Sequence, residues 1–192
     1  MSQTHPQDIS VRIAQPKDRD QIFQIQIDAI QVICSRDYNT EQIAALLDDK
    51  QLQYSVGNEW GEVVFVAEIE DTIVGFSALL RHRVSAVYVH PHYVRRGVGR
   101  QLLTALEREA VLRHVKRLKV MASLTAQPFY QACGYQIVGE SFLLSDNGVC
   151  VPCIDMEKCL ASAADKNKLV SDWIKMCLMI SQWLMSGKNL KF

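Results

Sequence analysis

The chain has 192 residues, of which 48% are hydrophobic, so it is long enough to bury a sizeable core and is not a globally disordered protein. Its 21 Lys and Arg residues balance its 21 Asp and Glu residues, which excludes a nucleic-acid or membrane partner recognised through overall charge. No apolar run reaches the roughly 18 residues that a membrane-spanning helix needs.

The cysteines predict free thiols. Six of them are spread along the chain, at Cys34, Cys133, Cys150, Cys153, Cys159 and Cys177. The N-terminus lacks the basic-then-apolar pattern of a secretory signal, so we expect reduced thiols in a cytoplasmic protein. Cys150 and Cys153 have CxxC spacing, but they have neither the second ligand pair of a zinc site nor the strand-then-helix setting of a redox site. No metal site is expected.

The first part of the chain predicts a tail, one strand and two helices. Residues 1–8 are polar and are expected to form a loose N-terminal tail. Alternating apolar residues over 9–14 predict a strand. Pro16 then starts a helix in which apolar residues recur at helical spacing, and Asn39 caps a shorter helix that ends near Leu47.

The middle of the chain predicts a hairpin, a third short strand and a long helix. Two apolar runs, at 63–69 and 73–80, flank a short turn and indicate a hairpin. A further short strand is predicted over 84–89. A glycine loop follows it and leads into a helix over 98–113, whose apolar residues form one stripe.

The next segment predicts a strand, a short helix and a final hairpin. The strand covers 118–122, and the helix covers 127–133 with Gly134 as its stop. Two last strands, over 135–141 and 149–156, flank a polar turn. The order is therefore β, α, α, β, β, β, α, β, α, β, β. This order predicts an α/β (α+β) fold, with a mixed central sheet of about seven strands flanked by helices.

Residues 161–192 are interpreted as a C-terminal helical extension of this domain. Apolar residues between Lys168 and Met185 recur at three- and four-residue spacing. The stripe is expected to pack on the domain or to form a homodimer contact. Membrane binding is not favoured, because the segment is not rich in basic residues.

An Arg-Arg-Gly-Val-Gly-Arg sequence connects the strand that ends near residue 89 to the long helix. Gly97 and Gly99 let backbone amides approach an anion, since no Cβ stands in the way. The first turn of the helix adds unpaired amides and a partial positive charge. Arg95, Arg96 and Arg100 add full charges. The pattern predicts a diphosphate site, with a tight turn and solvated arginines as the alternative.

The loop and a downstream segment together resemble the GNAT superfamily of N-acetyltransferases. The acetyl-CoA loop of that family has Gln or Arg, two residues, Gly, any residue, then Gly or Ala. Gly97 and Gly99 match the final pair, whereas Val94 departs from the first position. Residues 129–135, Phe-Tyr-Gln-Ala-Cys-Gly-Tyr, resemble the family's Phe-Tyr…Gly-Phe segment. The resemblance covers about residues 9–160.

The resemblance implies an acetyl-CoA-dependent enzyme whose fourth and fifth strands splay apart. The gap between them admits the pantetheine arm, which pairs with the backbone of the fourth strand, and the loop amides hold the pyrophosphate. The residues implied to contact the cofactor are Val87, Tyr88, Val89, Val94, Arg95, Arg96, Gly97, Val98, Gly99, Arg100, Gln101 and Phe129.

The implied reaction is direct attack of a neutral primary amine on the thioester in a ternary complex. The leaving CoA thiolate, with a pKa near ~8.5, benefits from a proton donor. Tyr130 stands where many family members place a catalytic tyrosine and is the implied general acid, with structural packing as the alternative. Family members often carry an acid where this chain has Ser85. His82 is the candidate base, and Glu68 or a water chain is the alternative.

The acceptor is expected to be a small-molecule amine or a peptide. Residues 34–38 and the first two helices are expected to shape its pocket. Two alternatives stay open: a protein or peptide acetyltransferase on the same scaffold, and a non-catalytic CoA-binding sensory module, which Ser85 and Val94 suggest.

Overall fold

The computed structural model of the chain describes residues 8–47 and 61–160. Its strands are β1 (Ser10–Ile13), β2 (Glu62–Ile69), β3 (Thr72–Leu80), β4 (Arg83–Val89), β5 (Arg117–Ser123), β6 (Gln136–Leu144) and β7 (Cys150–Cys159). Its α-helices are α1 (Arg19–Ile33), α2 (Thr40–Leu46), α3 (Val98–Leu112) and α4 (Gln127–Ala132). The predicted element order is confirmed. The predicted C-terminal helix lies outside the described residues, as does all but the last residue of the predicted tail.

The seven strands form one mixed sheet in the order β1-β2-β3-β4-β5-β7-β6. Every neighbouring pair is antiparallel except β4 and β5, which are parallel and are joined by a crossover through α3. The mixed seven-stranded sheet expected from the sequence is therefore confirmed. β6 extends past the predicted residue 141 to Leu144, because it pairs there with Cys150 of β7. β7 extends past the predicted residue 156 to Cys159, because it pairs there with Arg117 of β5.

Helices α1 and α3 pack on opposite faces of this sheet. Ile22 and Ile25 of α1 lie in one apolar cluster with Val66 of β2. Val98 and Leu102 of α3 lie in a second cluster, with side chains from the same strands that point the other way. Adjacent residues of a strand face opposite sides, so the long apolar strands serve both helices.

In residues 8–47 and 61–160, no helix is long and apolar enough to cross a bilayer.

Candidate active site

Strands β4 and β5 separate soon after they begin. They pair at two positions, the second of which joins Val84 to Val120. Beyond that point β4 stays paired with β3 as far as Val89, and β5 stays paired with β7 as far as Ser123. We call the space between the two diverging strands the strand gap. One backbone edge of β4 faces the strand gap. An extended ligand can form hydrogen bonds with that edge, as an added strand would.

The glycine loop lies at the open end of the strand gap and leads directly into α3. Gly97 is the N-cap of α3 and has φ of 88°, in the left-handed region that favours glycine. The Gln101 amide makes the first intrahelical bond, 3.1 Å to the Gly97 carbonyl. The amides of residues 98–100 therefore precede the intrahelical bonds and can serve an anion. Residues 94–97 are exposed, so an anion can reach them.

The three arginines of this loop have different surroundings. Arg96 lies over the ring of Tyr93, 5.1 Å from its centroid, which holds a positive charge beside the loop. Arg95 is exposed and has a positive φ of 65°. Arg100 donates to the carbonyl oxygen of Ala132 at 3.3 Å, so it joins α3 to the C-terminal end of α4. A phosphate contact from Arg100 stays a prediction.

Gly99 lets three elements meet at the loop. A Cβ at this position would lie 3.3 Å from Cε2 of Phe129 and 3.6 Å from Cγ2 of Val89. The absence of a side chain at Gly99 therefore allows the ring of Phe129, on α4, to pack against the start of α3. Phe129 was predicted near the cofactor, and the structure places it beside the glycine loop.

Tyr130 lies inside the molecule, with an exposed fraction of 4%. Its ring makes edge contacts with Phe129 at 5.1 Å and with Tyr135 at 5.3 Å between centroids. Burial first, and the nearby Tyr88 second, raise the pKa of Tyr130 well above its ordinary value. Its hydroxyl therefore keeps its proton at neutral pH, which is the state that a proton donor needs.

Tyr88 brings the β4 side of the strand gap close to Tyr130. Its ring stacks on Phe76, with centroids 5.5 Å apart, and its hydroxyl has a side-chain hydrogen bond with Gln26 of α1. Burial raises the pKa of Tyr88 to about 12. Tyr88 belongs to β4, Tyr130 belongs to the helix that follows β5, and Tyr88 contributes to the raised pKa of Tyr130.

Tyr38 is a buried, hydrogen-bonded side chain in the region that was expected to form the acceptor pocket. It is 6% exposed, donates to the carbonyl oxygen of Pro152 at 2.7 Å and accepts from the Leu124 amide at 2.8 Å. Beside it, Thr125 donates to a carboxylate oxygen of Asp37 at 2.6 Å. These bonds fix the segment between β5 and α4, which positions the helix that carries Tyr130. No local sequence pattern predicts these bonds.

Tyr38→Phe is expected to lower the free energy of unfolding by about 1–3 kcal/mol, because it leaves a buried amide and a carbonyl without their partner. Urea unfolding measures the change. Tyr93→Phe, which removes a hydroxyl near the surface loop, serves as the control. Equal stability of Tyr38→Phe and the wild type would show that the two bonds contribute nothing net.

The candidate bases His82 and Glu68 lie far from each other, and neither lies beside Ser85, where family members often carry an acid. His82 is exposed in the β3–β4 turn, and its carbonyl accepts from the Lys119 amide at the closed end of the strand gap. Glu68 accepts from Arg12 at 3.0 and 2.6 Å on the β1 side of the sheet. Ser85 donates to Oε1 of Glu62 at 3.0 Å, a contact that was not foreseen.

The cysteines near the site are arranged as unreactive thiols. Cys133 lies just after α4, and burial raises the pKa of its thiol. Cys150 is exposed and Cys153 is buried, both within β7, so the CxxC segment is a strand as expected. Among residues 8–47 and 61–160, no group of three His, Cys, Asp or Glu side chains is placed to hold a metal.

Comparisons with known sequences identify the family. The model of the acetyltransferase (GNAT) domain matches residues 34–160. An uncharacterized N-acetyltransferase of Escherichia coli (strain K12), YafP, is 33% identical over 132 residues, which is 68% of this chain and 83% of that protein.

Solved structures show the same fold. A GCN5-related N-acetyltransferase from Rhodopseudomonas palustris has 27% identity and a TM-score of 0.74, over 83% of this chain and 100% of that one. YncA from Salmonella typhimurium, solved with acetyl-CoA, has 20% identity and a TM-score of 0.55, over 80% of this chain and 94% of that one. The sheet, the glycine loop and these matches lead to one conclusion: the chain belongs to the GNAT family of N-acetyltransferases.

Proposed function

We propose that the protein transfers the acetyl group of acetyl-CoA to a primary amine, by direct attack within a ternary complex. The observation that carries this proposal is the exposed glycine loop, whose amides start α3 beside the open end of the strand gap. The amine belongs to a small molecule or a peptide.

The residues of the loop fit the diphosphate of CoA. The amides of residues 98–100 precede the intrahelical bonds, and Gly97 leaves the space around its Cα open, with no atom within 4 Å of where a Cβ would stand. Arg96 and Arg95 add positive charge beside these amides. The acetyl-CoA held by YncA, a protein of this fold, supports the same choice of ligand.

The strand gap fits the rest of the cofactor. Backbone groups of Val87, Tyr88 and Val89 lie on β4 beyond its last pair with β5 and can bond an extended arm as an added strand would. A backbone amide near Val89 can also polarise a carbonyl oxygen placed there. Acetyl-CoA, when bound, supplies the activated acetyl group as a thioester.

Tyr130 completes the site as the proton donor to the departing sulfur. It is buried, and burial raises its pKa further above neutral pH, so its hydroxyl carries the proton to be donated. A positioned acid of this kind contributes about 10²–10⁴-fold to the rate. Its place on α4, next to the Phe129 that packs on Gly99, keeps the donor and the glycine loop in one rigid unit.

Calorimetric titration with acetyl-CoA, followed by thiol release with an amine panel, tests this function. We expect saturable binding, and CoA release with at least one of n-butylamine, spermidine, L-lysine and a tri-alanine peptide. No binding at millimolar acetyl-CoA would contradict the proposal. Binding without thiol release from any amine would favour the non-catalytic sensory module, and release with the peptide alone would favour a peptide acetyltransferase.

A further inference from the structure

The proposed reaction needs a group that removes a proton from the acceptor. An alkylamine with a pKa near ~10.4 is almost wholly protonated at pH 7, and the ammonium nitrogen has no lone pair for attack. Tyr130 does not serve, because it must itself be protonated. Ser85 has no carboxylate, and His82 lies in the turn at the closed end of the strand gap. These three side chains therefore leave the role to a group on another element or to water.

Ser85 lies where the strand gap begins. It is the first residue of β4 after Val84, the last residue that pairs with β5. It is also the extra residue of a β-bulge, because Ala78 pairs with Ala86 while Leu79 pairs with Val84. A bulge turns a side chain away from its regular direction, which here lets the Ser85 hydroxyl reach Oε1 of Glu62 at 3.0 Å.

Glu62 therefore reaches from β2, across β3, to the start of the strand gap. On β2 it lies two residues from Val64, so it faces the side of the sheet that α1 covers. Its exposed fraction is 8%, which is low for a carboxylate. Two charged residues lie in the same row of the sheet as Glu62. Arg83 of β4 pairs with Leu80, the β3 partner of Glu62, and Lys119 of β5 pairs with Arg83.

Burial and orientation suit Glu62 to bind an ammonium group. A carboxylate screened from water attracts a cation more strongly than an exposed one, because the local dielectric is lower. The hydrogen bond from Ser85 fixes one carboxylate oxygen beside the residue at which the gap begins. Glu68, the acid on the same strand that the sequence suggested, bonds Arg12 of β1.

We propose that Glu62, oriented by Ser85, binds the acceptor's ammonium group at the start of the strand gap and accepts its proton; this inference rests on the proposed acetyltransferase function. The freed nitrogen lone pair forms the amide bond as the carbon–sulfur bond of the thioester breaks. Tyr130 gives its proton to the sulfur, and the second proton that the nitrogen loses as the amide forms restores the Tyr130 hydroxyl. Glu62 passes the first proton to solvent. The acceptor class is a primary alkylamine that arrives protonated.

Glu62→Gln tests this role, with Glu68→Gln as the matched control on the same strand. Thiol release with the best amine of the panel, and calorimetric binding of that amine to the CoA-saturated protein, are measured at about pH 7 and about pH 9.5. At the lower pH, Glu62→Gln should lower turnover by about 10²-fold and weaken amine binding. At the higher pH the deficit should shrink, because the amine loses its own proton. Acetyl-CoA affinity should not change.

Several results would overturn the role of Glu62. They are wild-type turnover by Glu62→Gln, a deficit of the same size at both pH values, and no amine binding by the wild-type protein. If Glu62→Gln does not fold, Ser85→Ala takes its place, because Ser85 is exposed. Ser85→Ala should lower turnover several-fold at about pH 7. Normal turnover by Ser85→Ala would contradict the role of the Glu62–Ser85 pair. Failure of the wild-type protein to bind acetyl-CoA would instead refute the proposed function.

Discussion

Gly97→Val is expected to weaken acetyl-CoA binding by about 100-fold. Gly97 has φ of 88°, and a β-branched residue at a positive φ costs about 1–3 kcal/mol. The loop can relieve that strain by moving the first amides of α3 away from the phosphate. A lost hydrogen bond to a charged group is worth about 1.5–3 kcal/mol, which is roughly ten- to a hundredfold in affinity. Titration calorimetry measures the change.

Gly139→Val is the control for this substitution. Gly139 lies in β6, has no positive φ, and has no atom within 4 Å of where a Cβ would stand. Valine suits a strand, so affinity for acetyl-CoA should stay at the wild-type value. At Gly97 the space is equally open, so the predicted effect comes from backbone conformation and not from a clash. Unchanged affinity in Gly97→Val would contradict the role given to the loop.

Tyr130→Phe is expected to lower turnover by at least about tenfold while acetyl-CoA affinity stays unchanged. The substitution removes the hydroxyl and keeps the ring, so the edge contacts with Phe129 and Tyr135 remain. Steady-state thiol release gives turnover, and calorimetry gives affinity. Because burial raises the pKa of Tyr130, the wild-type donor should stay protonated beyond pH 7, and its titration should not limit turnover there.

Tyr135→Phe separates proton donation from a general effect of removing a buried phenol hydroxyl. Tyr135 is 2% exposed and lies against Tyr130, but it belongs to the segment after α4 and has no proposed chemical role. It should turn over at close to the wild-type rate. Equal losses in the two variants would assign the effect of Tyr130→Phe to packing and would remove Tyr130 from the mechanism.

Local periodicity was enough to predict most of the fold. The stripe of α3 and the alternation or continuous apolar runs of the strands follow from short segments, so element order and the mixed sheet could be derived from the sequence. The glycine loop could also be derived, since the positive φ at Gly97 and the close packing of Gly99 on Phe129 both need glycine locally. The ends of β6 and β7 depend on pairing with β7 and with β5, which no local pattern shows.

The remaining parts of the candidate site depend on contacts between distant segments. Glu62 and Ser85 meet because of a bulge in the pairing of β3 with β4, and a one-residue change of register would separate them. Tyr38 bonds Leu124 and Pro152, which are 86 and 114 residues away in the chain. Such contacts appear only once the sheet order is known.

A crystal structure of the protein with CoA tests the central claim most directly. We predict diphosphate oxygens within about 2.7–3.2 Å of the backbone amides of residues 98–100, and the CoA sulfur inside the strand gap on the side of Tyr130. CoA bound away from this loop, or a diphosphate that contacts side chains alone, would contradict the account.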